Sequence, residues 1–416
     1  MKSIKKNTII KVLPMIAVLF WVGCEDLDFP DPNRPTPDVA TIQSLVTGAE
    51  AGMRVDIGVY LRDLLVVGRE AYYLEPADPR YTGELMKGPI DPGGFLGNRP
   101  WNANYKIIQN CLNLAESGDD GASGVGKTFH AYALMRVLSL TDDNGARLNY
   151  DGDKSVDIAT KSEVLDEIES LLEDGYADLN SAGNSFSFSL STGFDGFDTP
   201  STFGEFNRAL RARVAVQQSD YTTALTALGN SFLDASGDLD DGVFHVFSSS
   251  SNDQDNEMFE ASDADVIKLM VHPSYATEAE SGDLRYSSKV TTRSDTIKYD
   301  NLESFLAPTV WTSSYDPIPI IRNEELILLQ AEAYIGTGDY SSAETNMNIV
   351  RAAAGLADYS GTGASNAEDR VLYEKRYSLF FEGQRLQDMR HYGRTDELPL
   401  DRDGDAVVTF PIPETE

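Results

Sequence analysis

The sequence predicts a mainly α-helical protein, built from helical hairpins that carry a long loop-rich region. Three observations support this fold class: apolar residues recur at intervals of three and four, a helix–turn–helix pattern occurs twice, and Gly-, Asp- and Ser-rich stretches separate the helical segments. The chain has 416 residues, of which 41% are hydrophobic and 10% aromatic, so it is long enough to bury a sizeable core.

Helical spacing identifies four segments in the first half of the chain. The first has apolar residues on one face from Ile42 to Met53, and the others lie within 101–112, 129–137 and 164–172. In the second segment Trp101 shares a face with Tyr105, which predicts core packing, and Cys111 is predicted to be a small buried apolar residue. Long loops are expected at 76–100, 181–203 and 235–320, because these stretches are rich in Gly, Asp and Ser.

An internal repeat predicts helical hairpins. Ala212, Asp220, Tyr221 and Ala224 recur with the same spacing at Ala331, Asp339, Tyr340 and Ala343. Each copy is expected to be a helix, a tight turn at Asp-Tyr, and a second helix that begins with small residues. Small residues let paired helices approach closely, as in tetratricopeptide-like hairpins.

One segment matches a nucleotide-binding motif formally. Residues 121–128 read GASGVGKT and satisfy the P-loop pattern. A P-loop follows a buried β-strand, whereas residues 101–116 have helical periodicity, and Asp119 and Asp120 would repel phosphate. We therefore predict a flexible loop between helices at this position.

The charge of the chain excludes one class of partner. Asp and Glu number 67 against 34 Lys and Arg, giving a formal net charge of −33. Such a surface repels phosphate backbones, so binding to nucleic acid is not expected.

The N-terminus predicts export and a lipid anchor. Residues 1–23 combine a lysine-rich start with an apolar run that is too short to span a bilayer, which is typical of a secretory signal. Gly23-Cys24 resembles the bacterial lipobox, in which the cysteine is acylated, although Trp21 stands where Leu is usual. The following acidic residues resemble the tag of surface-exported lipoproteins. Residues 24–37 read as a lipidated tether, with Thr36 as the N-cap of the first helix.

Several motifs, in order along the chain, resemble the SusD/RagB family of nutrient-binding lipoproteins. They are LDFPDPN at 27–33, RNEELILLQAEA at 322–333, VRAAAGL at 350–356, EKRYSLFFEGQR at 374–385, DMRHYG at 388–393 and FPIP at 410–413. Tyr377, Leu379, Phe380 and Ala353 depart from the commoner residues of these motifs, and 140–320 matches nothing that can be quoted.

The resemblance implies a SusD-like domain over 38–416. Its expected parts are a helical region over about 38–234, a loop-rich insert over about 235–320 and a second helical region over about 321–416. The family's role implies a protein on the outer membrane, facing the cell exterior, that works with a SusC-like TonB-dependent transporter and takes an oligosaccharide or a peptide as cargo. No cofactor and no enzymatic activity are expected.

The C-terminal motif also has a structural interpretation. Its Glu and Arg residues lie at helical spacings, where they are expected to pair across turns while two phenylalanines bury. These residues are Glu374, Arg376, Phe380, Phe381, Glu382, Arg385 and Asp388.

Cargo binding requires exposed aromatic rings, because sugar rings present apolar faces that stack on Trp or Tyr. Trp311 lies with Tyr315 in a loop of small polar residues, where either an exposed platform or a ring held under the fold is expected. Weaker candidates lie in the other long loops: Tyr72, Tyr73, Arg80, Tyr81, Tyr275 and Arg285. The resemblance transfers no individual cargo residue.

No catalytic or metal site is predicted. The four histidines have no metal-ligand spacing, and no nucleophile elbow occurs. Asp401, Asp403 and Asp405 alternate as calcium ligands do, but the spacing is not that of an EF-hand. A helical adaptor that binds only proteins and an exported glycoside hydrolase with unrecognised carboxylates remain as alternatives.

Overall fold

The computed structural model describes residues 40–150, 156–251 and 253–414. The signal peptide, the tether, Cys24 and Thr36 lie outside the described residues. Helix accounts for 51% of the structure and strand for 9%, which confirms the mainly α-helical fold class. From Ile42 onward the chain forms one compact unit.

The first half of this unit is a stack of helices, and each predicted segment is helical. The helices are α1 (Ile42–Arg54), α2 (Ile57–Val67), α3 (Arg80–Lys87), α4 (Phe95–Ala115), α5 (Asp120–Thr141), α6 (Lys161–Ser181), α7 (Pro200–Gln217) and α8 (Tyr221–Leu228). Cys111 is 1% exposed, and the Trp101 ring lies 4.6 Å from that of Tyr105, so both core predictions are confirmed. None of the helices in the described part of the chain is long and apolar enough to cross a membrane.

The segment that matches the P-loop pattern is helical. It forms the start of α5, where the Asp119 carboxylate accepts a hydrogen bond of 2.9 Å from the Ala122 amide. The predicted flexible loop was therefore wrong. Its glycines serve close packing, since a Cβ at Gly124 would lie 2.6 Å from Leu179 of α6, and one at Gly126 would lie 2.8 Å from Leu114 of α4.

The second half ends in four more helices. They are α11 (Asn323–Thr337), α12 (Tyr340–Ala353), α13 (Ala367–Ser378) and α14 (Arg385–His391), and they follow the short helices α9 (Ser274–Thr277) and α10 (Leu284–Lys289). The predicted repeat is confirmed as the α7–α8 and α11–α12 hairpins. Asp220 and Asp339 are their N-caps with the same backbone geometry, φ −88° and ψ 72° and 71°.

The predicted loops contain more regular structure than their composition indicated. Residues 76–100 include α3 and the start of α4, and 181–203 include the start of α7. Residues 235–320 hold most of the strands. The strands form three antiparallel pairs: β1 (Ala71–Tyr73) with β3 (Leu269–Val271), β2 (Gly242–His245) with β6 (Ile318–Arg322), and β4 (Val290–Tyr299) with β5 (Leu302–Pro308). Two of these pairings join strands far apart in the sequence, which local composition does not reveal.

The C-terminal motif is not one continuous helix. Helix α13 ends at Ser378, and Phe381 and Gly383 follow with φ of 69° and 79° before α14 begins. The charged side chains consequently pair between elements rather than across helical turns. Glu374, for example, accepts hydrogen bonds from Arg285 at 2.7 Å and Arg351 at 2.8 Å.

Candidate functional site

An aromatic and guanidinium cluster lies where β1 leads into α3. Tyr73, at the end of β1, has its ring centroid 4.5 Å from that of Tyr81, which in turn lies 5.8 Å from Phe95. The Arg80 guanidinium carbon is 4.3 Å from the Phe95 ring, and that of Arg62 is 5.1 Å from the Tyr73 ring. We call these five residues the aromatic face. It unites three of the predicted candidates, Tyr73, Arg80 and Tyr81.

Each arginine of the aromatic face is held by an acceptor. Arg80 Nε and Nη2 donate to the two carboxylate oxygens of Asp78, each at 2.8 Å, and its side chain is 43% exposed. Arg62 Nη1 donates to the Glu257 carbonyl at 3.2 Å. Anchored guanidiniums that keep part of their surface in water are suited to bind hydroxyl oxygens.

The tyrosines of the face remain neutral hydrogen-bonding groups. Burial raises the pKa of Tyr73 to about 12 and raises the pKa of Tyr81 as well. Both phenols are therefore protonated at physiological pH, and each combines an apolar ring with an O–H donor.

Tyr315 lies in a loop that is tied to the aromatic face through one segment. The backbone N–H of Asn256 donates to the Ser314 carbonyl at 2.7 Å, and the side-chain Nδ2 of Asn256 donates to the Asp316 carbonyl at 2.9 Å. The next residue, Glu257, is the one that accepts from Arg62. Tyr315 is 46% exposed, as expected for a platform.

Trp311 anchors the same loop and is not exposed. It is 6% exposed, its Nε1 donates to the Pro317 carbonyl at 3.3 Å, and its ring centroid lies 6.1 Å from that of Phe381. Of the two expectations for Trp311, the structure shows the ring held under the fold.

The remaining candidates lie apart from the aromatic face. Strand alternation turns Tyr72 away from Tyr73, and its ring centroid lies 4.9 Å from that of His272. Tyr275 is 1% exposed and stacks on Phe380 at 3.8 Å, because α9 packs against the C-terminal motif. Arg285 is also buried, where it pairs with carboxylates of the core. These three side chains serve packing and ion pairing here, not a surface platform.

Two of the three alternating aspartates near the C-terminus have protein partners. Asp401 accepts a hydrogen bond of 3.1 Å from His272, and Asp405 accepts one of 2.9 Å from Arg402 Nη2. Within the described ranges no group of three or more His, Cys, Asp or Glu side chains is placed to hold a metal ion.

Comparison with known proteins connects the chain to one family. Residues 283–405 match the model of the SusD family. This segment is similar to the SusD family, in agreement with the resemblance of its motifs. The matched segment begins beside α10 and includes the C-terminal motif and Tyr315, whereas Tyr73, Arg80 and Tyr81 precede it.

Solved structures extend the likeness to nearly the whole chain. A SusD superfamily protein from Bacteroides vulgatus is 14% identical, covers 90% of this chain and 95% of its own, and has a TM-score of 0.65. A laminarin-binding SusD-like protein is 17% identical over 90% and 96% of the two chains, with a TM-score of 0.63. Surface glycan-binding protein A from Bacteroides thetaiotaomicron, in complex with laminarihexaose, is 14% identical over 90% and 96%, with a TM-score of 0.67. At these identities the likeness shows the SusD fold, and no curated protein sequence matches.

The candidate site includes residues that the sequence did not single out. Arg62 lies in an apolar helix and Phe95 at a helix start, and neither stretch resembles a binding loop. Glu257 is more than 190 residues from Arg62 in the sequence. Only the clustering of Tyr73, Arg80 and Tyr81 within nine residues of the sequence was a usable signal.

Proposed function

We propose that this SusD-like protein binds an extracellular oligosaccharide on the aromatic face and delivers it to a TonB-dependent transporter. Binding without chemical turnover is part of the proposal. Laminarin binding by one structural relative, and the laminarihexaose complex of another, support a glycan as cargo.

The observation that carries the proposal is the accessible edge of the aromatic face, where half-buried Phe95 packs against the 43% exposed Arg80 side chain. Phe95 offers an apolar ring on which a sugar ring stacks, and Arg80 offers N–H donors in a fixed orientation. Tyr73 and Tyr81 are buried, at 9% and 7% exposed, and support these two side chains from the core. Exposed Tyr315 on the tied loop offers a second platform for a neighbouring sugar unit.

Two carboxylates beside the face, Asp78 and Glu75, act as positioning groups in this proposal. Asp78 is bound by both donors of Arg80, and Glu75 forms an ion pair with Lys268. These pairs orient the cationic side chains toward cargo hydroxyls, and they leave the two acids as hydrogen-bond acceptors rather than as a catalytic acid and base.

Calorimetric titration with laminarin and laminarihexaose, other soluble glycans and a peptide mixture tests the cargo. Tyr315→Ala and Arg80→Gln are each expected to weaken glycan binding about 3- to 10-fold, as removal of one stacking or hydrogen-bonding group does. Tyr340→Ala, which removes a half-buried tyrosine at the start of α12, serves as the matched control and is expected to bind normally. Equal binding by all variants contradicts the aromatic face as the site. If only peptides bind, the cargo is a peptide and not a glycan. If shorter sugars are released from the glycans, the protein is an enzyme and the non-enzymatic role is contradicted.

Lipid anchoring and the transporter need separate tests. Mass spectrometry of the native protein is expected to find acylated Cys24 as the first residue. Purification from membranes under mild detergent is expected to recover a TonB-dependent barrel. An unmodified Cys24 thiol with residues 1–23 still attached contradicts the anchored location.

A further inference from the structure

A polar cavity has a wall that contains none of the five residues of the aromatic face. It is lined by α2, α5, α7, β2, β6 and the break between α13 and α14. The volume that the centre of a water molecule can occupy inside it is about 40 Å³. A site for one water needs roughly 10–15 Å³ by this measure, so the cavity has room for a small group of water-sized species.

Arg136 of α5 lines this cavity with unsatisfied donors. The residue is 1% exposed. Its Nη1 donates to the Met53 carbonyl at 2.7 Å, whereas Nε and Nη2 have no hydrogen-bond partner among the described residues. The guanidinium carbon lies 4.6 Å from the ring centroid of Tyr60 and 5.9 Å from that of Tyr132. The two rings therefore cover the guanidinium group, whereas some of the N–H groups at its edge have no acceptor among the described residues.

The other charges on the cavity wall are compensated. Arg213 donates from Nε and Nη2 to Glu325 at 2.6 and 2.7 Å. Glu382 accepts from Arg322 Nε and Nη2 at 3.0 and 2.7 Å. Arg136 has no carboxylate partner in the part of the chain that the structure describes, so the wall carries one unbalanced positive charge.

The neutral groups of the wall do not change this balance. Burial lowers the pKa of His245 well below its usual value, and its Nε2 is hydrogen-bonded to the Tyr132 hydroxyl at 3.1 Å. Burial also raises the pKa of Tyr60 and of Tyr132, to about 12 for Tyr132. An imidazole and two phenols without charge supply polarity but no counter-charge for a buried guanidinium.

We propose that Arg136 binds a small monovalent anion of about the size of chloride in this cavity, through Nε–H and Nη2–H. A buried cation without a counter-charge is strongly unfavourable, and an anion removes both the unpaired charge and the two unsatisfied donors. The small volume excludes organic acids with several carbons, and the carboxylate of Glu382 on the same wall disfavours divalent anions. The anion is a structural ligand that joins the N-terminal helices to the C-terminal motif.

Thermal unfolding of the purified protein in sodium chloride and in sodium gluconate at equal concentration tests the site. Gluconate is too large to enter, so the midpoint is expected to be higher in chloride. At a chloride concentration ten times the Kd, the ratio of folded to unfolded protein rises about 11-fold. Arg136→Met is expected to abolish the difference between the two salts.

Arg208→Met is the matched control. Arg208 is another buried arginine on a tyrosine ring, 4.2 Å from Tyr176, but it has a carboxylate partner, Glu173, at 2.8 Å. The salt difference should therefore persist in Arg208→Met, although the protein is less stable. A salt difference that survives in Arg136→Met overturns the proposal.

Crystals of the wild-type protein grown in sodium bromide provide a test that needs no variant, should Arg136→Met fail to fold. An anomalous bromide peak within hydrogen-bonding distance of Arg136 Nε or Nη2 is the expected result. Bromide found only on the surface, with the cavity holding water, overturns the site.

Discussion

Replacement of Glu374 by glutamine isolates the ion network of the C-terminal motif. Glu374 is fully buried, and its two carboxylate oxygens accept from Arg285 Nη1 at 2.7 Å and from Arg351 Nη1 at 2.8 Å. Glu374→Gln preserves shape and volume but removes the negative charge between two buried guanidiniums. One of the two arginines also loses this acceptor, because an amide has a single acceptor oxygen. Each arginine keeps a second carboxylate, since Arg285 pairs with Asp283 at 2.8 Å and Arg351 with Glu280 at 2.9 Å.

The structure sets the size of the effect. Losing a hydrogen bond to a buried charged group costs about 1.5–3 kcal/mol, because each arginine stays paired with its second carboxylate. The compact unit begins at Ile42. For the residues from there onward, about 2.1 cal/mol/K per residue gives an unfolding entropy of about 0.8 kcal/mol/K. The melting temperature is therefore expected to fall by about 2–4 °C.

Glu303→Gln provides the control in the same protein. Glu303 pairs with Lys298 on the surface, and the two side chains are 60% and 64% exposed. Solvent screens such a pair, so the loss should be within about 1 kcal/mol. Calorimetry and urea unfolding of both variants measure the difference. If the two substitutions destabilise the protein equally, the buried ion pairs of Glu374 stabilise the folded state no more than a surface pair does.

Three further predictions concern packing and pH. Gly336→Ala should destabilise the protein by about 1–3 kcal/mol in urea unfolding, because a Cβ at this position would lie 2.1 Å from the Tyr221 ring. Gly83→Ala should stabilise the protein by about 0.5–1 kcal/mol, because a Cβ there has no neighbouring atom within 4 Å and alanine favours the helix. If both alanines stabilise, α11 and α8 are not in close contact. Trp311→Ala should lower stability by about 3–5 kcal/mol, since the ring is core, and an unchanged urea midpoint would show instead that the ring is free. Burial raises the pKa of Glu70 from 4.5 to about 8, so the folded state keeps a proton that the unfolded state releases above pH 4.5. The contribution of Glu70 to stability should therefore fall as pH rises from about 5 to 8, by at most ~1.4 kcal/mol per pH unit, and Glu70→Gln should make the decline less steep than in the wild type. Parallel pH profiles for the two proteins would contradict the raised pKa.

The candidate site shows which sequence signals were informative. Tyr73, Arg80 and Tyr81 are close in the chain, so a strand followed by a short helix was enough to bring them together. Trp311 and Tyr275 occur in stretches of the same polar composition, yet both are buried. Their burial depends on Phe381 and Phe380, which lie 70 or more residues later in the chain.

The loop-rich region shows a related limit. Short strands such as β1 and β3 contain only three residues each, and their pairing joins Ala71 to Val271. Three residues carry too little periodicity to distinguish a strand from a loop, so only the partner strand defines them.

Local periodicity in the sequence was sufficient to identify the helices, the Asp-capped hairpins and the family motifs, because helix formation and capping depend on residues within one or two turns. The tertiary structure alone decided which aromatic rings are exposed and which carboxylates neutralise which arginines. It also decided that Arg136 is buried with no carboxylate partner among the residues that the structure describes. Those outcomes depend on distances between residues remote in the chain, and burial and ion pairing are properties of the assembled core rather than of any local segment.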